Sequence, residues 1–247
     1  MEMNIILFLA GLAVFTAYFI KGFSGFGPAL VLIPSLTLLF NAETAISAST
    51  YFDIIGGIIL FISVRKSIDW KFVIPITLLL FIGAYFGANL LETISTQLLE
   101  KIIGYGLILF SGIMIFQKQN EDNEPAKQSK FKRLMSFPIA LLGGFSGGMI
   151  GISGPLLVIY MKLNYKKSYF RTQLIAVFAF GAIWRFALYR MHHISFDMDL
   201  VLIVILTVIM LIGLWVGQHL HFKVNERNFT RIIALILLIP AISLLLK

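Results

Sequence analysis

Long stretches without a charged residue constrain this chain more than any other feature of its sequence. Residues 200–215 read LVLIVILTVIMLIGLW, and similar apolar segments recur along the 247 residues. A helix that crosses a bilayer needs about 20 predominantly apolar residues. Only 13% of the residues are charged and 59% are hydrophobic, whereas soluble domains carry about 25% charged residues. The sequence therefore predicts an all-α integral membrane protein.

The apolar segments form two groups of four around a charged linker. The first group comprises Met3 to Phe40, Thr44 to Val64, Phe72 to Leu91 and Leu98 to Phe116, and the second comprises Phe131 to Leu163, Tyr169 to Met191, Leu200 to Leu220 and Phe229 to Leu246. We therefore expect a first transmembrane repeat at 1–117, a cytoplasmic linker at 118–130 and a second transmembrane repeat at 131–247.

Three motifs recur in both halves in the same order. GPALV at 27–31 returns as GPLLV at 154–158, IGAYFG at 82–87 returns as IGLWVG at 212–217, and KII at 101–103 returns as RII at 231–233. Each match alone is weak, but their nearly constant spacing indicates one duplicated unit. Gly83-xxx-Gly87 and Gly213-xxx-Gly217 predict close helix packing.

The first segment of each half is too long for one straight crossing. As a helix, Met3 to Phe40 would measure about 57 Å, against a hydrocarbon thickness of about 30 Å. Glycines and a proline interrupt it at 22–28, and the second half is interrupted in the same way at 143–155. Such residues break helices. Each segment is therefore either one crooked crossing or a hairpin that enters and leaves by the same face.

The loop cations favour the hairpin. With hairpins, fifteen loop Lys and Arg residues lie on one face, and Lys101, Arg190 and Lys247 lie on the other; with single crossings the division is ten and eight. Cytoplasmic loops carry the excess of cations. We therefore expect two inverted repeats, each a re-entrant broken-helix hairpin plus three transmembrane helices.

The same charges orient the chain in the cell membrane, with both termini outside and the linker in the cytoplasm. Residues 1–4 (MEMN) lack the cationic start and the cleavage site of a signal peptide, so we expect the first apolar run to belong to the mature fold. The net charge of +8 comes from these short loops and does not indicate a nucleic-acid partner. The partners we expect are the lipid bilayer and a small anion, and the sequence is also compatible with a homodimer.

The helix breaks are the first candidate site. Pro28 and Pro155 suit the first position of a new helix, so two helix N-termini would aim their N–H groups at one midplane cavity. Helix N-termini attract anions. The predicted binding residues at the breaks are Ser24, Gly25, Phe26, Gly27, Gly151, Ile152, Ser153 and Gly154. Alternatively, the glycines serve only to pack the helices closely.

The residues around both breaks carry a family resemblance. The stretch 22–27 (GFSGFG) with Pro34 downstream, and 151–160 (GISGPLLVIY), resemble the paired signatures of the TauE/SafE sulfite exporter family. Leu156 stands where many relatives have a second proline. The resemblance covers nearly the whole chain and implies a permease, usually an exporter, for sulfite, sulfonates or related sulfur oxyanions.

Ionisable and polar residues inside the spans are further candidates, because a charge at the centre of a membrane helix is costly. Lys21 would either attract the anion or pair with a carboxylate. Asp53 would pair with Lys21 or Arg185, or take up a proton that couples transport to a gradient. Arg185 would either bind the anion or reach the outer interface, and Gln173 would either offer its amide to the anion or serve the structure.

Other readings of the sequence remain open. The pattern G-x-S-G at Ser24, Ser146 and Ser153 also occurs in intramembrane serine proteases, but no His lies deep in a span to activate a nucleophile. We therefore expect no catalytic residue. Because the chain has no Cys and its His residues lie near segment ends, we expect no metal site and no cofactor. An anion channel on the same scaffold stays an alternative to a gradient-coupled carrier.

Overall fold

The computed structural model describes residues 3–116, 130–165, 167–194, 197–220 and 241–245, and every regular element in these ranges is helical. The α-helices are α1 Met3–Ser24, α2 Pro28–Leu39, α3 Ala42–Val64, α4 Trp70–Thr93, α5 Thr96–Phe116, α6 Lys130–Ile150, α7 Gly154–Asn164, α8 Lys167–Met191 and α9 Leu200–Leu220, with a short 3-10 helix at Arg65–Ser67. The predicted linker up to residue 129, and the predicted last segment apart from 241–245, lie outside the described residues.

The all-helical prediction is confirmed for the described residues, and five helices are long and apolar enough to cross a membrane. They are Asn4–Ser24, Ala42–Ser67, Trp70–Thr93, Tyr169–Met191 and Leu200–Leu220. Large apolar side chains lie on their outer surfaces; in α9, Leu200 is 73% exposed and Trp215 61%. Such surfaces are unfavourable in water, whereas lipid tails accept them.

Both long first segments break inside the predicted stretches, but the breaks are shorter than predicted: α1 continues to Ser24, and α6 continues through the glycines at 143–148 to Ile150. Gly25, Gly27 and Gly151 have φ angles of 86°, 86° and 75°, in the left-handed region that a side chain disfavours. Pro28 begins α2, as predicted, whereas Pro155 is the second residue of α7, one place later than predicted. Since the second residue of a helix also lacks an intrahelical partner for its N–H group, proline fits there equally well.

The helices group into two compact units, and each unit draws on both halves of the sequence. The first unit comprises Met1–Phe52, Ile94–Gln119 and Ile194–Lys247, and the second comprises Asp53–Thr93 and Asn120–His193. The first unit therefore contains α1, α2, α5 and α9, and the second contains α4, α6, α7 and α8, while α3 contributes to both. Helices from opposite halves of the sequence thus pack together in each unit.

Glycine contacts hold one such helix pair in each unit. A Cβ atom on Gly83 or Gly87 of α4 would collide with the main-chain oxygen of Leu141 or Phe145 in α6. A Cβ atom on Gly213 or Gly217 of α9 would collide in the same way with Phe15 or Phe19 of α1. The two sets of positions correspond through the sequence repeat, so the predicted packing role of both G-xxx-G motifs is confirmed. In each pair, the later glycine contacts the later residue of the partner helix, so the two helices run parallel.

In the second unit α8 also runs parallel to α4. Three contacts follow one another along the two helices: Gln173 with Asp69, Trp184 with Phe81, and His192 with Glu92. Helices α4, α6 and α8 therefore share one direction within this unit.

Helix α7 runs the opposite way in the second unit. It begins directly after Ser153, which contacts Arg185 of α8. The residue before Arg185, Trp184, contacts Phe81 in the middle of α4, so α7 begins near the middle of α4. Immediately after it ends, the Tyr165 ring lies 5.5 Å from the ring of Phe72, near the start of α4. The chain therefore reverses direction between α6 and α7, as the hairpin prediction requires.

The glycine contacts predict unequal effects of adding one methyl group. Gly87→Ala should lower the thermal stability of the protein in detergent, because overpacking typically costs about 1–3 kcal/mol. Gly106→Ala in α5 is the matched control, since nothing lies within 4 Å of the added Cβ and helix propensity favours Ala by about 1 kcal/mol. Equal melting temperatures for the two variants would contradict the close packing of α4 and α6.

Candidate functional site

The candidate site is centred on a buried arginine of α8 in the second unit. Arg185 is 3% exposed. Its Nη1 donates to Ser153 Oγ over 2.8 Å, and its Nη2 donates to Asp53 Oδ2 over 3.3 Å. Arg185 is thus one of the partners predicted for Asp53, and its burial contradicts the alternative that Arg185 reaches the outer interface.

The guanidinium of Arg185 is incompletely matched by these contacts. Its buried Nε has no hydrogen-bond partner among the described residues. The Asp53 contact joins one oxygen to one nitrogen, and it is longer than the 2.7–2.9 Å typical of charge-assisted hydrogen bonds. Burying a charge costs several kcal/mol unless its donors are satisfied, and the described contacts leave this Nε donor unsatisfied.

The start of α7 lies beside this guanidinium. Ser153 is the N-cap residue of α7, yet its side chain makes no capping hydrogen bond and instead accepts from Arg185. Within the described ranges, no partner is found for the N–H groups of Ile152, Ser153 and Gly154. An uncapped helix N-terminus carries a partial positive charge. The guanidinium and the helix end therefore present two positive groups to the same place.

Two neighbouring side chains fix α8 in position. The indole Nε1 of Trp184 donates to Phe81 O over 3.0 Å, and its ring stacks on that of Phe81. The hydroxyl of Tyr189 lies 3.0 Å from the carbonyl oxygens of Gly147 and Gly148 and shares its proton between them. Neither residue was a candidate in the sequence, because both read as ordinary apolar positions of a membrane helix. Together they hold α8 against α4 and α6, so that Arg185 is aimed at the start of α7.

The first unit contains its own buried cation next to a helix break. Lys21 is 5% exposed, and its Nζ lies 5.4 Å from the centroid of the Tyr18 ring. Ser24 closes the end of α1: its Oγ lies 2.7 Å from Ile20 O and 2.8 Å from Phe26 O. Gly27 is the N-cap of α2 and provides no side chain to cap it.

The expectation that the breaks aim their N–H groups at a cavity is wrong for Gly25, Phe26 and Gly151, whose N–H groups bond within the protein. Gly25 N–H donates to Lys21 O and Gly151 N–H donates to Gly147 O, because the last turns of α1 and α6 continue into the breaks. Phe26 N–H donates to Ser24 Oγ over 3.3 Å. The amides left at the second break therefore belong to Ile152, Ser153 and Gly154.

A family model described as Sulfite exporter TauE/SafE matches residues 9–244, nearly the whole chain. The chain belongs to the TauE/SafE sulfite exporter family. This is a family of transporters and not of enzymes. No curated protein and no solved structure matches the chain significantly.

Membership of the TauE/SafE family removes the protease reading, and the serine contacts agree with this. Ser24 and Ser146 bond to main-chain oxygens of their own breaks, and Ser153 accepts from Arg185. Among the described histidines, His192 pairs with Glu92 and His219 contacts Trp215 O. The three serines of the G-x-S-G pattern are thus engaged with the helix breaks.

Gln173 lies far from the arginine in this TauE/SafE chain. It stands twelve residues before Arg185 in α8, which corresponds to about 18 Å along the axis. Its Oε1 accepts from Asp69 N–H over 2.9 Å, and its Nε2 donates to Ser67 O over 3.3 Å. The structure therefore uses the Gln173 amide to bind the turn before α4 and does not bring it to the candidate site.

This placement predicts that Gln173 acts on stability and not on transport. Gln173→Leu should lower the free energy of unfolding by about 1–3 kcal/mol, because it leaves the partners of a buried amide unsatisfied, while the KM for the transported anion should not change. Thermal unfolding in detergent and flux in proteoliposomes measure the two effects. Gln97→Leu, at an exposed glutamine of α5, is the control. A raised KM in Gln173→Leu with unchanged stability would instead place the amide in the site.

Proposed function

We propose that this chain exports sulfite or a related small sulfur oxyanion and that Arg185 is the cation that binds it. The observation that carries the proposal is the unpartnered Nε of a guanidinium that is 3% exposed. A buried donor of this kind is stabilised by an oxyanion more than by any neutral ligand. Membership of the TauE/SafE family supports the choice of a sulfur oxyanion.

The anion would lie between Arg185 and the start of α7. A sulfur oxyanion has several oxygens that point in different directions, so one accepts from Arg185 Nε while others accept from the N–H groups of Ser153 and Gly154. The Ser153 hydroxyl already accepts from Arg185 and can donate its own proton to the anion. Hydrogen bonds from a charged donor and from a helix N-terminus both stabilise negative charge.

The first unit offers the remaining predicted binding residues. Lys21 supplies a buried cation near the break, and Gly27 leaves the start of α2 uncapped. A compact ammonium and an uncapped helix end are together suited to an anion. That the two breaks serve one shared anion stays a prediction, as does binding by Ser24, Gly25 and Phe26.

The proposed carrier consists of inverted repeats in the cell membrane, with both termini outside and the linker in the cytoplasm. The matching glycine contacts of α4 with α6 and of α1 with α9 support a duplicated unit. The reversal between α6 and α7 supports the hairpin of the second half. Inverted repeats with broken helices are typical of gradient-coupled transporters that bind substrate where the helices break.

The proposed function predicts which anions move and which variants fail. Purified protein in proteoliposomes should transport sulfite in a panel that includes thiosulfate, methanesulfonate, sulfate and chloride. Arg185→Gln should weaken anion binding roughly 10- to 100-fold, the loss expected for a buried hydrogen bond to a charged group. Ser153→Ala should weaken it roughly 2- to 10-fold. Initial rates against anion concentration give both values.

Arg190→Gln is the matched control for the arginine variant. Arg190 lies in the last turn of α8 and is exposed, so its loss should leave transport unchanged. Arg185→Lys retains the charge but not the planar donors, and it should recover only part of the affinity. Transport of no sulfur oxyanion, or equal effects of the Arg185 and Arg190 variants, would refute the proposal. Flux without any coupling to a gradient would indicate a channel.

The hairpin predicts the faces on which single cysteines can be labelled. Because the chain has no Cys, Lys66→Cys and Lys166→Cys can be introduced directly, and both should react with a membrane-impermeant maleimide only from the cytoplasmic face. Arg190→Cys should react only from outside. Labelling of positions 66 and 166 from opposite faces would contradict the topology.

A further inference from the structure

We infer that the Arg185 site selects oxyanions that still carry a proton, with Asp53 as the residue that recognises this proton. The inference rests on the proposed function and refines its substrate to the hydrogensulfite form of sulfite. Asp53 thereby becomes a specificity residue in addition to its role as the ion-pair partner of Arg185.

The site contains a carboxylate next to its cation. Asp53 is 7% exposed, and its Oδ2 lies 3.3 Å from Arg185 Nη2. An anion that contacts the neighbouring Nε therefore also comes close to this carboxylate. A fully deprotonated oxyanion brings only lone pairs toward Asp53, and like charges repel more strongly in a buried site than in water.

A protonated oxyanion converts this repulsion into a hydrogen bond. The O–H group of hydrogensulfite donates to Asp53, while its other oxygens accept from Arg185 Nε and from the amides at the start of α7. An ionised carboxylate has about four lone-pair positions, so Asp53 can accept from the ligand and from Arg185 together. The O–H group of the ligand then faces an acceptor of the protein, and the other oxygens of the ligand face donors.

The principle of selection is the presence or absence of one donor on the ligand. A site built to hydrogen-bond a hydroxyl rejects the analogue that lacks it, because the polar group of the protein is then left unmatched. Sulfite and selenite carry a proton on part of their population near neutral pH. Sulfate, thiosulfate and methanesulfonate carry none, and methanesulfonate has the same single charge as hydrogensulfite. It therefore separates the effect of the proton from that of the charge.

The wild-type protein provides the first test. At one mildly acidic pH on both sides of the membrane, proteoliposomes should transport sulfite and selenite with a kcat/KM roughly 10- to 100-fold above that of methanesulfonate, the factor expected for one hydrogen bond to a buried charge. Equal kcat/KM values for hydrogensulfite and methanesulfonate would overturn the inference. Transport of no sulfur oxyanion would instead refute the proposed function, so the two failures are distinguishable.

Asp53→Asn provides the second test. The amide has no negative charge and can donate, so the variant should lose most of the preference for sulfite over methanesulfonate while it still binds anions through Arg185. Asp53→Glu, which keeps a carboxylate, should retain the preference. If Asp53→Asn keeps the wild-type preference for sulfite over methanesulfonate, Asp53 does not recognise the proton of the ligand. Should this variant fail to fold, the wild-type comparison with methanesulfonate decides.

Discussion

The incompletely matched guanidinium of Arg185 is the constraint on which the candidate site depends. Its charge is removed from solvent, but the described contacts satisfy it with one hydroxyl and one long carboxylate contact. The uncapped start of α7 adds a second positive group next to it. Without a ligand this arrangement is less favourable than a fully bonded ion pair would be. Under the proposed function, an anion would bind to both the Nε and the uncapped helix start, so the features that are costly on their own would favour binding.

The helix breaks and the glycine contacts make this arrangement possible. Only because the chain reverses at Gly151 does the start of α7 face α8 at the level of Arg185. Only because α4 and α6 approach through glycines do the carbonyl oxygens of Gly147 and Gly148 lie within reach of Tyr189. The backbone of a broken helix cannot face lipid, since lipid offers no hydrogen bonds. Both breaks must therefore lie inside protein or line a polar cavity.

Sequence patterns predict the architecture well because it depends on local chemistry. The clusters of glycine followed by proline at 25–28 and 151–155 mark both breaks, and most helix bounds follow the apolar segments of the sequence. Single prolines do not end a helix here, because Pro34, Pro75 and Pro138 lie inside α2, α4 and α6. The contact between Arg185 and Asp53 was one of two options, because the sequence does not show which helices become neighbours. The sequence predicts Ser153 only as one of the binding residues at the second break. That its hydroxyl bonds Arg185 instead of capping α7 depends on the packing of α7 against α8.

Gln173 and the amides of the breaks show the other limit of sequence patterns. A polar residue in a membrane span is costly unless it finds partners, but the sequence does not tell whether those partners belong to a substrate or to the fold. For Gln173 they are main-chain groups at Ser67 and Asp69. For Gly25 and Gly151 they are carbonyl oxygens one turn earlier. In both cases main-chain groups of the protein provide the partner, so polarity alone overestimates the number of ligand contacts.

The ion pair also has a consequence for the charge that crosses the membrane during transport. An unpaired arginine that moved through the membrane field would cost about 2.3 kcal/mol per 100 mV, whereas the pair of Arg185 and Asp53 carries no net charge. Under the proposed function, this pair therefore returns without opposing the membrane potential. The pair loaded with hydrogensulfite carries one negative charge, which a potential that is negative inside drives outward. Under the proposed function, the charge that each cycle carries outward is that of hydrogensulfite alone, and the carboxylate keeps the arginine paired on the return step.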